Sequence, residues 1–314
     1  MTKRDFILCA PLQLVNHSNG VLAIVQLALS LEKAGRRAYL CVNSMHNDKE
    51  VVLNVDFDTY VPQNENEKRF VDAIRQAQQK FGFQMLRDFS QQHIDTCYVV
   101  YPEIIHTNPL NAKRAIRYFL NKDGGLSGRK VGVGPNDFIL AQSRVMYPEA
   151  HFVAYFAAVN PLFHSEGMYP TEQRKLDLLY IGKGAQYGLN VTLPDTVTIT
   201  RTWPETKEQL ALLLRNCRIF YTGDACSSTN LEALFCGAIP AFIHNGPWSD
   251  AEIDGSELGA FPRLRAGMSR TDNFFAEFEA ERNRYIGRIR TFQTGWDARV
   301  AQFAEKVDAH FSTR

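Results

Sequence analysis

The stretch Tyr221–Ile243, YTGDACSSTNLEALFCGAIPAFI, decides the fold. Apolar runs at Arg218–Tyr221 and Ala238–Ile243 frame it and read as buried strands. Between them a small polar turn leads into a short helix that Gly237 closes. Strand, helix and strand joined by short connections form the unit from which covered parallel sheets are built. Ser227, Ser228 and Thr229 fall where the helix begins. A helix start carries unpaired N–H groups and a partial positive charge, so these residues suit an anionic phosphate. Glu232 lies one turn further on and faces whatever occupies that end. Thr229-x-x-Glu232 also fits a capping box, in which both side chains simply close the helix.

The 314 residues suit two domains of ordinary size. Hydrophobic residues make up 45% and charged residues 22%, the balance of a folded, water-exposed protein. With 35 basic and 34 acidic side chains the formal charge is +1, and no global field points to nucleic acid. No apolar run approaches the roughly 18 residues of a spanning helix. Met1-Thr-Lys-Arg-Asp5 leads directly into an apolar strand, Phe6–Ala10, without a signal-peptide core, so a cytoplasmic location is expected. The six cysteines (Cys9, Cys41, Cys97, Cys217, Cys226, Cys236) include no C-x-x-C pair and read as small buried hydrophobes in a reducing compartment.

Strand and helix signals alternate along the first half. After Phe6–Ala10 and the loop Asn16–Gly20, apolar residues at 21, 24, 25, 28 and 31 mark one helix face, which Gly35 ends. Ala38–Val42, Thr96–Val100, Phe138–Ala141 and Phe152–Phe156 read as strands, and Glu65–Phe89 as a helix interrupted at Gly82. A loop-rich stretch, Ala158–Glu172, marks a boundary. Beyond it come strands at Leu176–Ile181 and Thr196–Thr200, a helix at Lys207–Arg215 and the strand Cys217–Tyr221. Asp272–Phe311 is helical with a break at Thr294-Gly295, and Trp296, Val300, Phe303 and Val307 place one face of the last helix in a core. The expected domains are 1–165, 166–290 and a C-terminal helix, 291–314, packing back on the body. The expected class is α/β, with two doubly wound Rossmann-like domains.

On these residues the chain resembles the GT-B glycosyltransferases over roughly residues 5–310. The run Glu232-Ala-Leu-Phe-Cys-Gly-Ala-Ile-Pro240 is similar to the E-A-x-x-x-G-x-P run in which a glutamate holds the donor ribose, with one extra residue before the proline. The resemblance implies that Ser227, Ser228 and Thr229 meet the diphosphate. It implies that Gly20 and Lys183, each in the first turn of a domain, approach donor phosphates, and that Thr202 and Trp203 of Arg201–Pro204 lie at the nucleobase. Retaining members carry two glutamates separated by seven residues; Asp224 and Glu232 keep that spacing with a shorter first carboxylate, so Asp224 is a catalytic candidate. The nucleotide-sugar is a substrate, and neither cofactor nor metal is expected. Asp56-Phe57-Asp58 has the D-x-D form of a metal site, but the alternation of Val55–Tyr60 explains it as the polar face of a strand.

Tyr101–Leu110, YPEIIHTNPL, follows an apolar strand and gathers a carboxylate (Glu103), an imidazole (His106) and an amide (Asn108). It is similar to loops of GT-B enzymes in bacterial surface polysaccharide assembly. Transfer needs an acceptor hydroxyl oriented and deprotonated, a task for Glu103 or His106. Lys113, Arg114, Arg117, Lys122, Arg129 and Lys130 follow closely. They form either a patch for an anionic glycan or membrane surface, with Asn108, Lys113 and Arg117 as acceptor ligands, or the solvated face of a helix. The expected activity is sugar transfer from a nucleotide donor to a carbohydrate or lipid-linked glycan acceptor, in surface polysaccharide or lipopolysaccharide synthesis. A nucleotide-sugar 2-epimerase of the same fold and a non-catalytic sugar- or nucleotide-binding protein are the alternatives.

Overall fold

The structure, a computed structural model, describes residues 3–11, 19–125, 127–265 and 273–312. The chain divides into two compact units, Met1–Ala158 with Phe292–Arg314, and Val159–Thr291. Unit 1 contains β1 (Phe6–Pro11), α1 (Asn19–Lys33), β2 (Ala38–His46), β3 (Lys49–Leu53), α2 (Glu65–Phe81), β4 (Gln84–Met85), α3 (Gln91–Ile94), β5 (Tyr98–Pro102), β6 (Ala115–Phe119), β7 (Phe138–Ala141) and β8 (Phe152–Val153). Its sheet runs β3-β2-β1-β5-β6-β7-β8, with β4 also on β2. Apart from β3, every pairing is parallel. The strands on either side of β1 lead outward in opposite directions, so the topological switch lies between β1 and β5, where ligands bind in such sheets.

The central strands are apolar on both faces because both faces are covered. Phe6–Ala10, all of β5 and all of β6 are buried. The predicted stripe of α1, Val21, Ile24, Val25, Ala28 and Leu31, is buried against this sheet. The C-terminal helix, Trp296–Ser312, joins the same core through Trp296, Val300, Phe303, Ala304 and Val307. Polar groups fix it there. The buried guanidinium of Arg36 forks onto Asp308 at 2.8 and 3.1 Å, and Asp297 accepts from Ser30 at 2.6 Å and Lys33 at 3.0 Å.

Four local expectations for unit 1 are corrected. Strand β2 continues past Val42 to His46 and turns back as β3, antiparallel to it. Asn47 and Asp48 both have positive φ (47° and 60°), the requirement of a two-residue hairpin turn. The helix predicted over Glu65–Phe89 ends at Phe81, because Gly82 adopts φ 73° and its N–H caps Gln78 O. Asp56 and Asp58 lie in a turn, not on a strand. Asp56 closes that turn by accepting from Asp58 N (3.1 Å) and Thr59 Oγ1 (3.0 Å), and both carboxylates pair with Arg87. Lys113–Arg117 is the approach to and part of strand β6, not a helix face.

Unit 2 contains β9 (Leu176–Tyr180), β10 (Thr196–Ile199), α4 (Lys207–Asn216), β11 (Cys217–Thr222), α5 (Ser228–Phe235), β12 (Ile239–Phe242), α6 (Asp250–Asp254) and most of α7 (Phe274–Thr294). Its four strands are all parallel in the order β10-β9-β11-β12, with the switch between β9 and β11. Two buried arginines, Arg174 and Arg282, close the far end of α5 by donating to the carbonyls of Cys236 and Leu234. Glycines let the loops after β9 and β11 touch. A Cβ on Gly184 would stand 2.6 Å from the backbone oxygen of Gly223. Replacing Gly184 with alanine is expected to cost about 1–3 kcal/mol as the two loops are forced apart, read as a lower urea midpoint with an unchanged slope.

The observed class is therefore α/β, with two doubly wound Rossmann-like units and a helical C-terminal segment.

Candidate functional site

The loops that leave the switch point of unit 2 carry its polar cluster. Gly182, at φ 55°, turns the chain so that Lys183 N donates to Asp224 Oδ2 at 3.1 Å, and Lys183 Nζ lies 3.6 Å from Asp224 Oδ1. A side chain on Gly182 would meet the Tyr180 ring and Asp224 within 2.9 Å, so glycine is required there. Asp224 is 6% exposed. Thr222 Oγ1 receives its N–H at 3.1 Å, and its carbonyl accepts from Ser227 N and from the buried amide of Asn230. These bonds form a small frame that presents the start of α5.

Ser227 is the N-cap of α5, its Oγ accepting from Thr229 N at 3.2 Å. The capping box of Thr229 with Glu232 therefore does not form: with the cap at Ser227, Glu232 lies beyond the reach of that role. Its carboxylate goes elsewhere. Glu232 Oε1 accepts from Lys207 Nζ at 2.7 Å, while Oε2 is buried with no partner among the described residues. A buried carboxylate oxygen left unbonded costs free energy and calls for a donor. Lys207 is the first residue of α4 and lies 5.5 Å from the Phe163 ring centroid, so packing and charge both hold its ammonium at Glu232.

Three aromatic side chains stand at the same carboxyl ends. Trp203, past the end of β10, is 45% exposed in a turn where Thr200 Oγ1 accepts from Trp203 N (2.9 Å) and Thr202 N (3.3 Å). Tyr187, past β9, stacks on His244, past β12, with ring centroids 6.0 Å apart and planes at 22°. Gly246 N donates to His244 Nδ1 at 2.9 Å, which leaves Nε2 as the ring's donor nitrogen. Lys207, Tyr187 and His244 had no sequence-local signal. Only the parallel register brings the ends of all four strands together.

In unit 1 the expected acceptor residues separate. Glu103 is 6% exposed immediately after β5, its Oε2 accepting from Leu120 N at 3.1 Å. The hydroxyl of Tyr118, on the neighbouring strand, is buried and unpartnered among the described residues. Burial, reinforced by the charge of Glu103, pushes its ionisation far above the ordinary phenol range. Asn108 ties the loop to itself, accepting from Tyr101 Oη (2.7 Å) and Ala112 N (2.8 Å) and donating to Ala112 O. Arg117, expected as an acceptor ligand, is 4% exposed and committed to Asp137 (2.8 Å), Thr107 O (2.6 Å) and the Tyr101 ring. It sits on a strand buried on both faces, so its charge is spent inside the unit. Lys113 is outside, paired with Asp95 at 2.6 Å. Gly20 lies in the first turn of α1, while Asn16, His17 and Ser18 of its loop lie outside the described residues. His106 belongs to a separate network, in which Nδ1 meets Glu50 Oε1 at 2.9 Å and Nε2 meets Ser127 Oγ at 2.8 Å.

Among the described residues no group of three or more His, Cys, Asp or Glu side chains could hold a metal ion. Among them, too, no helix is long and apolar enough to cross a membrane.

No protein-family model matches the chain, and no curated protein sequence does. Among solved structures the chain is similar to T4 phage beta-glucosyltransferase, at 10% identity and a TM-score of 0.46, over 96% of this chain and 99% of that one.

Proposed function

We propose that the chain is a glycosyltransferase that binds a nucleotide-sugar on the carboxyl edge of the unit 2 sheet. It transfers the sugar to a carbohydrate or lipid-linked glycan acceptor of the kind built into surface polysaccharide. The observation that carries this reading is Glu232: one oxygen held by Lys207, the other buried and without a partner among the described residues, one turn into α5. A ribose hydroxyl supplies the missing donor, and the α5 start, with Ser227, Ser228 and Thr229, takes the diphosphate. Lys183 adds positive charge across from it, neutralising the leaving group as the glycosidic bond breaks. Asp224 fixes the Lys183 turn and is the catalytic carboxylate of this reading. The exposed indole of Trp203, with Thr202, and the Tyr187–His244 pair offer flat surfaces for the base. In unit 1, Glu103 is the acceptor-side carboxylate.

The test is incubation of the full chain with nucleotide-sugars and glycan acceptors, following released nucleoside diphosphate and sugar-bearing product. Acceptor-dependent release supports the reading. Isomerised donor without an acceptor would make the protein an epimerase, and binding without turnover would make it a receptor. In this reading the cationic groups are Lys183, Lys207 and the α5 start, so transfer is expected to continue in excess chelator. Complete loss that added divalent ion restores would overturn the metal-independent mechanism.

A further inference from the structure

We propose that Glu50, His106 and Ser127 form a covalent serine centre in unit 1, whose substrate is a carboxylic ester. It uses none of the groups that the proposed function assigns to the nucleotide or the acceptor; His106, expected from the sequence as one of two acceptor-side bases, belongs to this network instead. Glu50 comes from β3, His106 from the loop after β5, and Ser127 from the turn after β6. The hairpin that carries Glu50 back over the β5 loop is what assembles them.

His106 Nε2 lies 2.8 Å from Ser127 Oγ, and its Nδ1 lies 2.9 Å from Glu50 Oε1. The Glu50 and His106 side chains are 4% and 10% exposed, whereas Ser127 is open to solvent. Glu50 also accepts from His106 N (2.8 Å), Thr107 N (2.8 Å) and Thr107 Oγ1 (2.5 Å). Burial works to raise its ionisation, but the hydrogen bonds from Thr107 and His106 outweigh it and hold the carboxyl below the usual range. Glu50 is therefore an anion at neutral pH. An anion at Nδ1 fixes the imidazole tautomer with its proton there and turns the Nε2 lone pair toward Ser127. A hydroxyl, a base within reach of it and a third group orienting the base make up the arrangement of an activated nucleophile, recognised by geometry and roles, not by chain order.

Ser127 Oγ also accepts from Arg129 N at 3.2 Å and lies 3.0 Å from Arg129 O, so the oxygen is positioned while its proton has two acceptors to choose between. Bonds that merely pinned the loop would gain most with the hydroxyl buried. Here the chain runs outward, from a buried anion to an exposed hydroxyl. In the reaction Oγ bonds to the ester carbonyl carbon as its proton passes to Nε2. The carbon–oxygen bond to the alcohol then breaks, and the alcohol leaves with that proton. Water, deprotonated at Nε2, attacks the acyl group, releases the carboxylic acid and restores the serine hydroxyl.

The full chain is treated with a fluorophosphonate, which forms an Oγ–P bond and loses fluoride, and is followed by intact mass and peptide mapping. One adduct is expected, on Ser127. It should be absent from Ser127→Ala and slower by about 100-fold or more in His106→Gln, the scale of a lost general base. Hydrolysis of p-nitrophenyl acetate should fall in parallel. Glu50→Gln should slow labelling as well; if that variant does not fold, the other two decide the matter. No adduct at Ser127, or equal labelling of folded wild type and His106→Gln, would overturn the proposal.

Discussion

Glu103→Gln is expected to lower sugar-transfer turnover by roughly 10²–10⁴-fold, the range for a lost acid–base group, while nucleoside diphosphate affinity stays near wild type. The substitution keeps the volume and an oxygen for the Leu120 N–H. What it removes is the negative charge. That charge acts on the Tyr118 hydroxyl, which has no partner among the described residues, from the carboxyl end of β5, the strand next to the switch point of unit 1. Steady-state kinetics with a defined acceptor, alongside calorimetric nucleotide binding, separates the two quantities. Full turnover in the variant would remove Glu103 from the mechanism and leave it a helper of strand packing.

Glu232→Gln should weaken donor binding by roughly 10- to 150-fold, the equivalent of about 1.5–3 kcal/mol for a hydrogen bond to a charged group. The expected change in stability is smaller. The Lys207–Glu232 pair is partly exposed, and such pairs contribute little to the fold. Because Ser227 caps α5, the helix loses no cap when Glu232 changes. Calorimetry of nucleoside diphosphate binding, set beside thermal unfolding, distinguishes the roles. A lower melting point with unchanged affinity would return Glu232 to a structural salt bridge.

Much of the fold could be read from residue patterns because parallel strands are buried on both faces and announce themselves as continuous apolar runs. Phe6–Ala10, Phe138–Ala141 and Cys217–Tyr221 lie in strands on that ground alone. Strand β3 was missed because Lys49–Leu53 is only half buried and lacks such a run; the Asn47-Asp48 turn was its one signal. Strand β6 was hidden by Arg117, whose charge suggests a surface although Asp137 neutralises it inside. The site divides along the same line. The contact of Lys183 with Asp224 follows from two adjacent parallel strands and was within reach of the sequence. The contact of Lys207 with Glu232 joins two helices through residues 25 apart, and that of His106 with Glu50 joins a loop to strand β3 through residues 56 apart. No local pattern encodes either pairing; tertiary packing does.

In the proposed function a nucleotide sits on the carboxyl edge of the unit 2 sheet. The most direct test is photo-crosslinking with an azido-substituted nucleoside diphosphate, peptide mapping of the adduct, and competition by unlabelled nucleotide. Labelling is predicted in the loops that follow β9, β10, β11 or β12, near Tyr187, Trp203 or His244, with loss of label under competition. Competable labelling confined to unit 1, or none that nucleotide displaces, would contradict the account.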